Sequence, residues 1–356
     1  MKPYGLISDT HNHGWSAFST TGADGVNSRL QEILSETKRC AQEVRAAGGD
    51  TIVHAGDLFH VRGKVAPSVL NPTMDSYREL IDDGFQIIIL AGNHDLEGKT
   101  ADRLGSAVTA MQSVGCKVVN SLSEGLAAHD DVVLVPWIQD LQELKETLDS
   151  IAPARRSGSD LVIHAPVDGV IAGLPDHGLT AAHLAGLGFQ RVFAGHYHNH
   201  KQLNDSVYSI GALTHQTWGD VGSKAGFLIV SGTEVKHFAS HAPSFIDVDG
   251  STDPTELPLV ADGNYVRCRI KSAKPSEIEA LREHLVDCGA RGVVIISQPD
   301  TKAVPTRSGV VTTGTSLDVS VQDYVVSCSF ARQGDVAKIC AEVLAKARAE
   351  MESVHE

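Results

Sequence analysis

The sequence predicts an α/β fold, on three observations. Short apolar runs rich in β-branched residues alternate with stretches of helical spacing, the pattern of a sheet flanked by helices. Five of these runs break abruptly and deliver polar residues at their ends, where ligands bind in such sheets. From Ser206 to Ser240 the pattern changes to short β pieces separated by turn residues, which predicts hairpins after the alternating part.

Taken in order, Tyr4 to Ser8 is the first strand, ending at Asp9. Val26, Leu30, Ile33, Leu34, Ala41 and Val44 recur at near-helical spacing and predict a helix over about Asp24–Ala47, stopped by Gly48-Gly49. Thr51 to Ala55 is a strand ending at Gly56-Asp57, and a loop through Pro67 and Pro72 leads to a helix over about Met74–Asp83. The stretch Gln86 to Asp95, QIIILAGNHD, is the most telling: a buried strand followed at once by Asn93, His94 and Asp95. A helix over about Ala101–Val114 and a strand over Lys117–Val119 follow. Asp131–Val135 (strand), Gln139–Ile151 (helix), Pro153–Ser159 (surface loop) and Leu161–Ile163 (strand ending at His164) come next. A short helix at Ala181–Leu187 precedes a strand at Arg191–Ala194, which ends at Gly195-His196.

Ala242–Pro258, rich in Pro and Asp, reads as a linker. Tyr265–Ile270, Ser276–Asp287 and Val293–Ser297 form a small β-α-β unit, and Asp318–Ser329 adds an extended piece. A terminal helix from about Asp335 carries Val336, Ile339, Cys340, Val343, Leu344 and Ala347 on one face, either a packed core face or a docking surface for a partner.

Bulk properties narrow the class. The 42% hydrophobic and 21% charged composition is that of a globular protein, and no segment reaches the roughly 20 apolar residues of a membrane span. The first strand starts too early to leave room for a signal peptide, so a cytoplasmic location is expected. Six cysteines stand singly without a C-x-x-C pair, as reduced thiols do. A formal net charge of −14 argues against a protein that coats DNA through a basic surface, although bound metals or a partner could bring positive charge.

The strand ends supply Asp9 and His11, Asp57, Asn93, His164, and His196 with His198. Asp9-x-His11 and His196-x-His198 each put two ligands on the same side of extended backbone. Seven such groups suit two metal ions sharing one carboxylate. A mixed imidazole, carboxylate and amide set favours manganese, iron or zinc over magnesium or calcium. Two metals about 3.5–4 Å apart can hold a bridging hydroxide and clamp the oxygens of an in-line displacement at phosphorus.

Asp9-Thr-His11, Gly56-Asp57, Gly92-Asn93-His94-Asp95, His164 and Gly195-His196-Tyr-His198, in this order and each behind an apolar strand, resemble the calcineurin-like metallophosphoesterases. Ile52–His60 (IVHAGDLFH), Leu134–Trp137 (LVPW) and Tyr208–Gly219 (YSIGALTHQTWG) resemble the SbcD-type nuclease subunits of that superfamily, and the length resembles their bacteriophage versions. The likeness is specific over about residues 4–230 and beyond that lies only in order and size. It implies a β-sandwich flanked by helices over residues 1–245, a small α+β capping domain for DNA recognition over 246–330, and a C-terminal helix over 331–356 for partner docking. It also implies that one metal takes Asp9, His11, Asp57 and His198, and the other Asp57, Asn93, His164 and His196, with Mn2+ preferred over Fe2+ or Zn2+. His94 would stabilise or protonate the leaving group, Asp95 would orient His94, and His60 would position DNA for exonuclease action.

The implied function is a DNA repair and recombination nuclease, with 3′-to-5′ exonuclease action on duplex ends and endonuclease action on single strands or hairpins. It would be a homodimer working with an SbcC-like ATPase. Two alternatives stand beside it. One is a dinuclear phosphodiesterase or phosphatase on a small phosphoester, against which the extra domain and the GDLFH wording count. The other is a silent scaffold that binds DNA or a partner, against which the full ligand set counts. His13, His54, His200 and His215 read as packing or loop residues, with at most one or two behind the ligands; Trp137 and Trp218 could stack on a base or pack.

Overall fold

The computed structural model describes residues 2–98, 104–249, 252–253, 255–271, 273–298, 321, 324–326 and 332–353. Strands β1 (Tyr4–Ile7), β2 (Thr51–His54), β3 (Gln86–Leu90), β4 (Lys117–Val119), β5 (Val132–Val135), β6 (Asp160–His164), β7 (Arg191–Gly195), β8 (Lys201–Gln202), β9 (Val207–Ser209), β10 (Gly226–Ser231) and β11 (Glu234–Ala239) form two sheets. One has the order β11-β10-β1-β2-β3-β4 and the other β5-β6-β7-β9-β8. β1 to β4 run parallel, and the β10-β11 hairpin joins β1 antiparallel.

The residues sort by alternation into layers. Tyr4, Leu6, Val53, Ile88 and Leu90 of the first sheet meet Val132, Leu134, Val162 and Phe193 of the second in the core between the sheets. The alternate residues Ile7, Ile52, Ile87 and Ile89 pack outward against helices α1 (Ser28–Ala46) and α2 (Pro67–Asp82). On the second sheet, Val133, Val135, Leu161 and Ile163 pack outward with residues of later helices. Strands buried on both faces read as unbroken apolar runs, which is why they stood out in the sequence. The result is a β-sandwich flanked by helices. Gly5 lets α1 lie close on β1, since a Cβ there would come within 2.7 Å of Val44 and 2.8 Å of the Cys40 sulfur.

The remaining helices of this part are α3 (Leu122–Ala127), α4 (Leu141–Ser150), α5 (Pro153–Arg156) and α6 (Ala181–Gly186). Beyond them, β12 (Phe245–Asp249), α7 (Leu257–Ala261), β13 (Tyr265–Lys271), α8 (Pro275–Asp287) and β14 (Gly292–Gln298) build a parallel sheet of order β12-β13-β14 with its own apolar core. The chain divides into two compact units, Met1–Pro299 and Asp300–Glu356. The second contains the helix Gln333–Ser353, whose Ile339 and Val343 are exposed. Among the described residues no helix is long and apolar enough to cross a membrane.

Several elements differ from expectation. The linker Ala242–Pro258 contains β12, whose two aspartates disguise a strand with Phe245 and Val248 turned inward. α2 begins at Pro67, seven residues before the predicted start at Met74: Pro at the first helical position lacks only an N–H with no helical partner, and the helix tolerates Pro72 inside. The predicted helix at Ala101–Val114 is a 3₁₀ helix over Ala107–Val114, and its first residues lie outside the described ones. Of the extended piece Asp318–Ser329, the described residues Val321, Tyr324, Val325 and Val326 are helical instead. Pro153–Ser159 holds the single turn α5, again opened by Pro at the first position.

Candidate metal centre

The ends of β1, β2, β3, β6 and β7 meet at one rim of the sandwich. Ligand-type atoms of Asp9, His11 and His198 lie within 4.8 Å of one another, and so do those of Asp57, His164 and His196. Asp57 stands between the two groups, with one oxygen 3.6 Å from His11 Nε2 and the other 3.4 Å from His164 Nε2. Asn93 Oδ1 completes the second group, 3.0 Å from both His164 Nε2 and His196 Nδ1. The structure therefore brings together all seven residues singled out as metal ligands.

The backbone is bent sharply to do this. Asp9, His11, Asp57 and His196 all have positive φ, at 50°, 45°, 56° and 99°. Each such residue costs about 1–3 kcal/mol and persists only where its surroundings enforce it. Here they do. The Asp9 N–H donates to the Gly56 carbonyl and the His11 N–H to the Asp57 carbonyl, both at 3.0 Å, and the His196 N–H donates to the Asp9 carboxylate at 2.9 Å. Gly92 is needed because a Cβ there would lie 2.2 Å from the Asp57 nitrogen and 2.3 Å from its carboxylate oxygen.

Hydrogen bonds on the far ring nitrogens orient the imidazoles. His164 Nδ1 lies 2.7 Å from the Ala55 carbonyl, and His198 Nδ1 lies 2.6 Å from Asp220. A proton on each Nδ1 leaves the Nε2 lone pair directed at the centre, the tautomer a metal ligand needs. His94 Nδ1 is held by the His60 carbonyl at 2.7 Å in the same way, and its backbone N–H donates to Asp57 at 2.8 Å.

The electrostatics favour a cation. Burial pulls His164 down, but Asp57 outweighs it and pushes the imidazole up to about 9, so without a metal a proton on Nε2 balances the carboxylate, and a metal bound there would displace it. Burial raises Asp57 in turn, and the imidazoles of His164, His11 and His94 together hold it well below the ordinary carboxylate range. Burial drives His11 well below its ordinary value and His196 down to about 3, which keeps both neutral and able to donate lone pairs. Two carboxylates, one amide and four imidazoles in two groups that share Asp57 fit a pair of divalent metals of the manganese, iron or zinc type.

His60 and His94 lie beside the first group, where ligand-type atoms of His11, His60 and His94 also fall within 4.8 Å of one another. His60 is held down to about 4 by burial and by His13 and His94, so it is neutral. The role expected of Asp95 needs correction. Its carboxylate accepts the N–H groups of Phe59 and Gly92 at 2.9 Å and of Leu58 at 3.3 Å, while His94 turns to the His60 carbonyl. Asp95 thus clamps the loop after β3 to the loop after β2 and acts on His94 only through that backbone.

His13, His54, His200 and His215 make packing and loop contacts. His54 meets Thr10 Oγ1 at 3.0 Å, and His200 stacks on His237 with ring centroids 4.2 Å apart. His215 accepts the Phe245 N–H at 3.1 Å and contacts the Ser223 carbonyl at 2.9 Å, tying its loop to β12. His13 packs against Trp15 and His60. Trp137 stacks on His196 at 5.2 Å, and Trp218 packs edge-on to Phe245 at 4.8 Å.

Sequence reading missed Asp220, Gln216 and Arg29. Asp220 closes a capping box with Thr217 on the 3₁₀ turn Trp218–Asp220, and this Thr-x-x-Asp spacing was the available signal. Gln216 Nε2 donates to the Asp9 carbonyl at 2.5 Å. Arg29 gave no signal, since it lies on a helix that is mostly polar.

The profile of the calcineurin-like phosphoesterase family matches residues 2–200. The DNA double-strand break repair protein Mre11 of Methanopyrus kandleri is 36% identical over 72 residues, covering 20% of this chain and 16% of that protein. Mre11 of Haloferax volcanii is 34% identical over 67 residues, covering 19% and 15%. The matched stretch therefore spans less than one fifth of either relative. Among solved structures, a dimetal phosphatase from Danio rerio is 10% identical, covering 67% of this chain and 96% of that one, with a TM-score of 0.41. The nuclease MPE of Pseudomonas putida is 18% identical, covering 58% and 66%, with a TM-score of 0.28.

Proposed function

This chain belongs to the calcineurin-like phosphoesterase family, a family of metal-dependent phosphoester hydrolases, and on that premise we propose that it is a DNA nuclease. The observation that carries the hydrolytic part is the pair of ligand groups sharing Asp57, with His94 alongside. The stretch similar to two Mre11 proteins supports DNA as the substrate.

In this reading Asp9, His11, Asp57 and His198 hold one divalent metal and Asp57, Asn93, His164 and His196 the other, with manganese the preferred ion. The bound metals supply Lewis acidity that activates water and draws charge from the phosphoryl oxygens. The protein's part is orientation. The Ala55 carbonyl and Asp220 fix His164 and His198, and Asp57 keeps the two groups in register. His94, with Nδ1–H on the His60 carbonyl, would present Nε2 to the phosphate and, as the imidazolium, donate the Nε2 proton to the leaving sugar oxygen, ending as neutral imidazole. Neutral His60 lies where it can guide the strand toward the centre. Partner docking belongs to the same proposal: exposed Ile339 and Val343 would meet an SbcC-like ATPase, with the nuclease as a homodimer.

The net charge of −14 favours a second reading, a phosphodiesterase on a small phosphoester, because a polyanion is repelled by an acidic surface. Incubation with Mn2+ separates the two. The nuclease degrades linear duplex DNA, and His94→Ala abolishes that activity while bound metal stays at the native level. Intact DNA together with cleavage of bis(p-nitrophenyl) phosphate would establish the small-substrate reading instead.

A further inference from the structure

Arg29 lies in the first turn of α1 and is only 4% exposed. Its guanidinium donates to the Gln216 carbonyl at 2.7 Å and, at 3.4 Å, to the carbonyls of Ala17 and His215. No carboxylate is among these partners. Aromatic rings surround it, with its central carbon 4.9 Å from the ring centre of Trp15, 5.1 Å from Phe245 and 5.6 Å from Tyr265, and the carboxylates of Glu32 and Asp220 favour its charge from beyond hydrogen-bond contact. Burial outweighs these distant carboxylates, so the charge is expensive, and a well-packed apolar side chain of similar volume would fill the space more favourably.

What the guanidinium touches explains its presence. Gln216, whose carbonyl it holds, donates its side-chain N–H to the Asp9 carbonyl at 2.5 Å. The N–H groups of Gln216 and Thr217 both donate at 2.8 Å to Asp220, whose other oxygen holds His198 at 2.6 Å. Trp15, under the guanidinium, packs against His60 at 4.5 Å. On the other side, Phe245 and Tyr265 are the first residues of β12 and β13. The same loop is tied to β12 by the bond from the Phe245 N–H to His215. Phe18, at φ 58°, stacks on Tyr265 and adds a further link to this face.

We propose that Arg29 is a positioning residue that couples the seating of the β12-β13-β14 unit to the geometry of the metal centre. Planarity suits this role, because one guanidinium can donate at its edge to the Gln216 loop while its faces meet aromatic rings from both parts. The coupling runs both ways. Metal held at Asp9 and His198 stiffens residues 215–220 and tightens the seat of the small unit, and a seated unit in turn favours metal binding. The proposal rests on the reading of Asp9, His11, Asp57 and His198 as metal ligands, and it is indifferent to whether the substrate is DNA.

The test uses the full chain, Mn2+ and the variant Arg29→Met. In the native protein, Mn2+ slows amide hydrogen exchange in residues 215–220 and also in β12 and β13. The variant keeps the native circular dichroism and melts close to the native metal-free protein. Its Mn2+ affinity falls by about tenfold or more, and the Mn2+-dependent protection of β12 and β13 disappears. Native affinity with native protection in a folded variant would overturn the proposal. Tyr265→Leu approaches the coupling from the far side with Arg29 intact, and settles the matter should Arg29→Met not fold. It lowers Mn2+ affinity if the coupling exists, and unchanged affinity overturns it. Neither readout involves nucleic acid, so loss of DNA cleavage with intact coupling would count against the nuclease reading alone.

Discussion

Asp220 orients His198 by holding its Nδ1, and the pair has a defined pH window. Burial pulls His198 down, but the bond to Asp220 outweighs it and raises the imidazole above its ordinary 6.5. Burial raises Asp220, and His198 outweighs that to bring the carboxyl from 3.8 to about 2. The histidine's contribution to stability is complete below 6.5 and is lost as pH rises through its higher folded value. That of the aspartate is complete above 3.8 and is lost as pH falls toward 2. Both act between 3.8 and 6.5. Asp220→Asn should therefore destabilise the metal-free protein by about 2 kcal/mol in that window and by less on either side. Thermal melts of both proteins from pH 3 to pH 9 measure this, and a constant difference across the range would refute the pairing. Asp220 also shows where legibility ended. The seven candidate ligands were readable because each comes at the end of an apolar strand. Asp220 follows a loop, 22 residues from its partner, and nothing local marks it as facing His198.

At the scale of elements, the two sheets are joined by a buried polar clamp as well as by their shared apolar core. Arg191 of β7 donates through Nε and Nη2 to both oxygens of Asp160 on β6, each at 2.9 Å, and Tyr4 of β1 donates to the same carboxylate at 2.5 Å. Asp160 is fully buried and Arg191 nearly so. Removing one side of such a pair leaves a buried charge without its partner, so Asp160→Ala should lower stability by about 3–5 kcal/mol. Tyr4→Phe removes only one bond to the carboxylate and should cost about 1–2 kcal/mol. Urea titrations monitored by circular dichroism give both values, and equal losses would mean that the tyrosine, not the arginine, anchors Asp160. The strands carrying these residues were legible because burial on two faces leaves little but Val, Ile, Leu and Phe. β12 was not, because Asp247 and Asp249 face outward on a strand at the edge of its sheet. α2 was read late because two prolines look like a loop until their positions along a helix are known.

For the whole molecule, the metal centre is where the chain's negative charge is put to use. Asp9 and Asp57 are buried with histidines on left-handed backbone, an arrangement that lowers stability unless a cation is bound. Metal binds this folded geometry and not the unfolded chain, so it stabilises by mass action, by about 2.7 kcal/mol at a free concentration one hundred times the Kd. Chelation should accordingly lower the melting temperature by several degrees, and restoring Mn2+ should reverse the loss. Asp57→Ala separates this effect from general ion binding to an acidic surface, because the Asp57 carboxylate lies beside imidazoles of both groups. The variant should melt at the same temperature with and without Mn2+, and below the chelated native protein, because the imidazoles that hold Asp57 below the carboxylate range lose their buried counter-charge. A variant that still gains several degrees on adding Mn2+ would place the stabilising ion elsewhere on the surface. Native protein that gains none would mean the strained loops hold their shape without a metal.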